Sequence, residues 1–579
     1  MRKAFFALAL LLTTAGCGDL LVENINDPDR ERALGEPSDI QSLLQGATTN
    51  LVFGMTGRPG VHIGLWADQA TSTNNFIALW QFSDEPRRRF NNRTSNPDLG
   101  VTAVSWNTFN STISSANTVI ALIEDDGIVI EIEGVDETQK TRAAAYLARG
   151  IARGYLGVLY NEAYLTDPDS DLANLETVPY TEMIAGAVSD LEQAKEIANG
   201  VTGFAFDFVP GGSTYSKAAF DEIANSMAAR FLISEPRTQA EAAALPASRY
   251  NTIIDYARNG VGTAIPAFSP ASVSAEFWYD YGRWNTFQVA GSISTDPTAP
   301  GIGAAYLPTD LKILHLLDPS YPTTYPASGN LPQAKSDDPR LAYYAYTPNF
   351  GFLNATRNRS IFSNYFSLRH QAEDNDWAFQ GGAPIPVVTK SEMQYIIAEA
   401  NFRLGNKAGV ASALANSPFG TVATRLESPL PARALGLVDF GGADGLTAGK
   451  TLSSSASDAQ IVRALHTEYS VELDMMGGIG IQWFFMRRHD LLQVGTPLHF
   501  PIPGDELEVT ASEYYTFGGV DNASEEGTAT GANSWKTFDQ RNAGSLPSVS
   551  GNAVAMARNQ SNRVSGVTIA PSGAPKPSN

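Results

Sequence analysis

The sequence predicts a mainly α protein: degenerate helix pairs stack into a right-handed superhelical scaffold, with a loop-rich insertion that carries short strands. Three observations predict it. Apolar residues recur at three- and four-residue steps in several separate segments. These segments come in pairs, and each pair buries its apolar face only by stacking on its neighbours. Between the pairs, residues 261–389 are rich in Pro, Tyr, Asn and Asp and read as loops and short strands with little helix.

The chain opens with Arg2 and Lys3, an uninterrupted apolar stretch from Ala4 to Leu12, and small residues leading to Cys17. The stretch is far shorter than the roughly 20 apolar residues a spanning helix needs, and it has the form of an export signal. Cys17 is the only cysteine among 579 residues, so neither an internal disulfide nor a multi-thiolate metal site is available. Its position fits a bacterial lipoprotein signal, with residues 1–16 as signal peptide and Cys17 as the acylated first residue of the mature chain. Thr14 stands where leucine is usual, and the alternative is an ordinary secretory signal with a coincidental cysteine. On the lipoprotein reading, lipid and not a transmembrane helix ties the protein to a membrane. Residues 17–37 then form a tether, with the turn-rich Asn24-Ile25-Asn26-Asp27-Pro28-Asp29 within it.

Residues 38–510 are expected to form the helical binding domain. A first helix follows Ser38 as N-cap, with Ile40, Leu43, Leu44 and Ala47 on one face. From about Gly54 to Asn107 the chain reads as an aromatic loop region, and helical character resumes at Trp106. Thr138–Tyr160 carries the stripe Ala144, Leu147, Ile151, Tyr155, Val158 and Leu159. Tyr180–Ala198 repeats it, as does Lys217–Ile233, with Arg249–Gly260 as partner. Ser391–Leu404 and Lys407–Leu414 make a further pair across a tight Gly405-Asn406 turn. Such pairs resemble tetratricopeptide units, and Ala398 to Asn406 has the Ala…Gly spacing of one. Residues 511–579 are expected to form a Gly/Ser-rich, partly disordered extension clear of the presumed ligand loops.

The balance of 61 acidic and 40 basic residues gives a net charge of −21, which repels phosphates and argues against nucleic-acid binding. No two of the six histidines lie three or four apart, so no helix face offers a zinc pair. A Gly-x-Ser-x-Gly elbow and a phosphate-cradling loop are both absent from the sequence, and no cofactor is expected. Asp167-Pro168-Asp169-Ser170-Asp171 has the alternating carboxylates of a calcium loop, but Leu172 and Val178 fall where glycine and the bidentate acid belong. A solvated turn fits better.

Two aromatic clusters are the candidate ligand sites. Glu276 to Asn285 packs Phe277, Trp278, Tyr279, Tyr281 and Trp284 among Asp280, Arg283 and Asn285. Between Trp66 and Trp80 lie Asp68, Asn74, Asn75 and Phe76. Aromatic faces stack on the C–H faces of sugars while neighbouring polar groups take the hydroxyls. The expected ligand contacts are therefore Trp66, Asn74, Asn75, Trp80, Trp278, Tyr281, Arg283 and Trp284; the competing expectation is that these rings staple loops to the core.

Taken together, the chain resembles the SusD/RagB family of outer-membrane nutrient-binding lipoproteins. The resemblance runs from Cys17-Gly18-Asp19-Leu20 through Val178-Pro179-Tyr180-Thr181-Glu182 and Glu392 to Gly405. It is most specific in Val471-Glu472-Leu473, Trp483-Phe484-Phe485-Met486-Arg487-Arg488 and Phe500-Pro501-Ile502-Pro503. The family's usual Glu-Gly-x-Arg before the tryptophan is replaced by Gly477-Gly478-Ile479-Gly480. The resemblance implies a non-enzymatic protein on the cell exterior that captures oligosaccharides, or peptides in some members. It implies a TonB-dependent, SusC-like transporter as partner. A surface glycoside hydrolase and an envelope scaffold for protein contacts are the rival readings from other classes.

Overall fold

A computed structural model describes residues 36–56, 58–72, 78–208, 214–262, 308–326, 329–336, 338, 340–341, 344–346, 363–367, 387–416, 452–474, 479–523 and 525–546. The architecture is mainly helical. Helices α1 (Pro37–Thr56), α2 (Arg58–Trp66) and α3 (Gly100–Glu124) form the first layer. Ile40, Leu44, Ala47 and Leu51 of α1 are buried, as a stripe with three- and four-residue steps requires. The α3 hydroxyls of Ser105 and Thr112 donate to the Gly54 and Ala47 carbonyls of α1, so the two helices run antiparallel.

The central helix α4 (Thr138–Leu159) is buried over nearly its whole C-terminal half, because α3, α5 (Tyr180–Asn199) and α6 (Lys217–Ser234) all pack on it. Close approach depends on glycine at two positions. A Cβ at Gly157 would lie 2.7 Å from Ile184 of α5, and one at Gly154 would lie 2.1 Å from the Phe231 ring of α6. Arg149 and Arg153 of α4 are buried and share the Asp190 carboxylate of α5, at 2.7 and 2.8 Å. Both also reach Asp167, so that acidic segment is a turn held by guanidinium groups. Among the described residues, no group of three or more His, Cys, Asp or Glu side chains is placed to hold a metal ion.

Helix α7 (Ala247–Arg258) packs between α6 and α9 (Lys390–Arg403), and α10 (Lys407–Ala415) follows α9 across Gly405 at φ 72°. Thr389 and Asn406 cap these two helices, each accepting an amide hydrogen bond three residues on. Arg230 of α6 and Glu392 of α9 form a buried bidentate pair at 2.7 and 2.6 Å. The helix pairs expected from periodicity are thus present, with ends within a few residues of those expected.

One expectation is corrected. The stretch read as loop from Gly54 to Asn107 contains α2 and the first turns of α3; Pro59, Gly60 and Gly64 mask the helical pattern of α2, whose Val61, Ile63, Leu65 and Trp66 are buried. Within the insertion, the seven-residue α8 (Leu311–Leu317), wholly buried and capped by Asp310, accords with the little helix expected there. Among the described residues, the insertion's short strands are β7 (Tyr344–Tyr346) and β8 (Tyr365–Ser367), one of four separate antiparallel pairs there; the others are β1–β2 (Glu131–Ile132, Val135–Asp136), β3–β4 (Glu162–Ala163, Val178–Pro179) and β5–β6 (Ala205–Phe206, Tyr215–Ser216).

The C-terminal part carries α11 (Asp458–Thr467), a π-helical turn Glu468–Glu472, α12 (Ile481–Arg487), α13 (Gly504–Val509) and α14 (Trp535–Arg541). Glu399 of α9 takes Arg488 bidentately at 2.7 Å and His489 at 2.9 Å. Arg487 donates to the carbonyls of Val158, Ser234 and Leu498, so it closes the ends of α4 and α6 against the Phe500-Pro501 segment. No helix among the described residues is long and apolar enough to cross a membrane.

Candidate functional site

The candidate surface begins where α2 ends. Trp66 points inward at 3% exposure, stacked on Phe82 at 4.6 Å and close to Trp483 and Phe500. A ring enclosed on all sides by other rings offers no face to a ligand. Trp66 is a core residue, and the expectation that it contacts ligand is corrected.

After Trp66 the chain reverses at Asp68, a buried residue at φ 53°, a left-handed conformation that Asp tolerates better than most residues. Its carboxylate accepts hydrogen bonds from Arg87, from Gln493 Nε2 at 2.8 Å and from Trp535 Nε1 at 2.8 Å. Beneath this hub, Lys312 of α8 donates to the Ala67 carbonyl and the Gln69 side chain. Burial pulls its ammonium pKa down to about 8. Asp310 is pushed up to about 8 by burial and by the neighbouring Asp68 and Glu85, while Tyr325 donates to it at 2.6 Å. The floor of the site is therefore a buried polar network linking the insertion to the end of α2.

Trp80 lies on a single helical turn, Leu79–Phe82. Leu79 and Phe82, three residues apart, face the core, which leaves Trp80 and Gln81 half-buried. The Arg88 guanidinium sits 5.5 Å from the Trp80 ring centre. Its Nε is 2.6 Å from Asp84 Oδ2, with Arg88 63% exposed and Asp84 3% exposed. A buried carboxylate thus fixes an exposed cation beside a half-exposed indole. Further along the chain, Arg93 stacks on Tyr514 at 5.3 Å, and the Tyr514 hydroxyl reaches Thr94 and Glu508.

The Trp80 corner sets a half-buried indole beside a fixed guanidinium donor, an apolar and a hydrogen-bonding element of the kind a polyhydroxylated ligand needs. Asp84 and Arg88 carry no motif of their own; the spacing of four from Trp80 to Asp84 and again to Arg88 is the signal that could have found them. Asn74, Asn75, Trp278, Tyr281, Arg283, Trp284 and Cys17 lie outside the described residues.

A mainly helical chain of tetratricopeptide-like pairs is a recognisable fold class, and solved structures share that fold. A SusD/RagB-family protein from Bacteroides thetaiotaomicron is similar at TM-score 0.50 and 12% identity, over 84% of this chain and 96% of that one. A SusD-like carbohydrate binding protein from Bacteroides vulgatus is similar at 0.50 and 13%, over 78% and 83%. A SusD superfamily protein from Parabacteroides distasonis is similar at 0.50 and 13%, over 82% and 97%. No family model and no curated protein matches the sequence. The chain has the SusD-like fold.

Proposed function

We propose that this chain is a non-enzymatic, cell-surface nutrient-binding lipoprotein that captures an oligosaccharide and passes it to a TonB-dependent, SusC-like outer-membrane transporter. The observation that carries the reading is the fold, shared over most of both chains with a protein described as a SusD-like carbohydrate binding protein. The exposed Arg88, held by buried Asp84 beside the half-buried Trp80 ring, supports it. Cys17 would carry the lipid anchor, and Trp278, Tyr281, Arg283 and Trp284, with Asn74 and Asn75, would extend the ligand surface.

The test is a glycan-binding screen on purified protein carrying Cys17→Ser, followed by Trp80→Ala, Trp278→Ala and Trp284→Ala. The reading expects binding of at least one oligosaccharide, unchanged in composition after incubation, and its loss in a ring variant at unchanged melting temperature. Cleavage products would replace it with a glycosidase. Binding of cationic peptides with steep salt dependence, as the net charge of −21 favours, would replace the sugar with peptide.

A further inference from the structure

The segment formed by residues 514–523 and 525–541 contacts Asp68 and the 84–92 loop, contrary to the expectation that the extension stands clear of the ligand loops. We propose that this segment is a strap that positions the 84–92 loop, and through it Trp80 and Arg88. The proposal rests on the reading of Trp80 as a ligand contact.

The 84–92 loop forms no helix or ladder of its own, so its backbone groups must be satisfied elsewhere. The strap supplies part of that. The Val520 amide donates to the Arg87 carbonyl at 3.2 Å, Thr516 Oγ1 donates to the Phe90 carbonyl at 2.8 Å, and Arg89 pairs with Gly518 in an isolated antiparallel bridge. In return, Asn92 Nδ2 donates to the Tyr515 carbonyl at 3.0 Å. Gly518 and Gly519 both have φ 92°, and a Cβ on Gly519 would lie 3.2 Å from the Arg89 nitrogen. The glycines that suggested disorder are what let the strap run against the loop.

Two side chains then pin it. The Trp535 indole N–H binds the buried Asp68, and Lys536 Nζ lies 2.6 Å from Glu85. Glu85 adjoins Asp84, the carboxylate that fixes Arg88. Both partners of the Lys536–Glu85 pair are about four-fifths buried, unlike the exposed Arg89–Glu525 pair, so it is the one with a positioning effect worth testing.

The experiment compares full chains carrying Cys17→Ser alone, or with Lys536→Ala, Lys536→Arg or Trp535→Phe added. Amide hydrogen exchange is followed in 84–92 and, as internal reference, in α4. The strap predicts at least ten-fold faster exchange in 84–92 for Lys536→Ala and Trp535→Phe, with α4 unchanged, and recovery in Lys536→Arg. Where the screen has returned a glycan, its Kd should rise at least ten-fold in Lys536→Ala and recover in Lys536→Arg. Unchanged exchange in 84–92, uniform acceleration across the chain, or failure of Lys536→Arg to rescue would each overturn the strap. If the screen returns no glycan, the functional reading falls, and the exchange data still decide the strap.

Discussion

Replacing Glu399 by glutamine should destabilise the protein by about 3–5 kcal/mol, the usual cost of breaking a buried ion pair from one side. The magnitude follows from the site. Glu399 is fully buried and accepts Arg488 Nε and Nη2, both at 2.7 Å, and His489 Nε2 at 2.9 Å. Arg488 also lies over the rings of Tyr469 and Phe485, where no water can replace a lost carboxylate. Glutamine keeps the shape, removes the charge and turns one acceptor into a donor facing other donors. The Arg488 charge is then left buried without its counter-ion. Urea unfolding followed by tryptophan fluorescence and by far-UV circular dichroism measures the loss, with coincident transitions as the check on two-state analysis. Adding Arg488→Met should recover part of it, because removing both partners spares the unpaired charge. A loss below about 1 kcal/mol would refute the claim that this pair is desolvated and essential to tying α9 to the segment that follows α12.

Trp66→Ala should cost about 3–5 kcal/mol of stability, whereas Trp80→Ala should leave the melting temperature nearly unchanged while abolishing ligand binding; calorimetry and titration separate the two. Gly154→Ala should destabilise by about 1–3 kcal/mol despite alanine's better helix propensity, since its Cβ meets the fully buried Phe231 ring, as a denaturation midpoint would report. Acid should weaken the fold. Burial, with Arg403 nearby, lowers the His489 pKa from 6.5 to about 4, against the pull of Glu399. The unfolded chain therefore takes up that proton first, so the stability is whole above about pH 6.5 and drains away towards pH 4, by on the order of 3 kcal/mol. His466 and His499, lowered by burial, add in the same direction, and the Glu399 pKa, held down by Arg488 and His489 against its own burial, extends the loss to lower pH. Melting temperatures between pH 7 and 4 measure this.

The helix pairs were legible because periodicity reports burial directly: the stripe from Ala144 to Leu159 is buried in α4 as its spacing requires. Helix α2 was not, because Pro59, Gly60 and Gly64 break the pattern that tertiary packing then overrides. The site was half legible. Composition drew attention to Trp66–Trp80, but it cannot say which ring faces water; that depends on Phe82, Trp483 and Phe500, the last two more than 400 residues away in sequence. The strap was hidden for a related reason. Glycine in a tail reads as slack, and only its folded neighbours, Pro497 against Gly518 and the Arg89 backbone against Gly519, show that these glycines serve close contact.

The bond from Trp535 to Asp68 spans 467 residues of sequence. A polypeptide is made from its N-terminus, so Asp68 and Arg87 emerge long before the indole that completes their corner. Until residue 535 arrives, a buried carboxylate lacks one of its three neutral or charged donors, and the 84–92 loop, which bears Arg88, lacks part of its backing. Closing so long a loop is entropically slow compared with forming the local helix pairs. The Asp68 corner is consequently finished late, and a chain cut short before Trp535 would leave it without that donor.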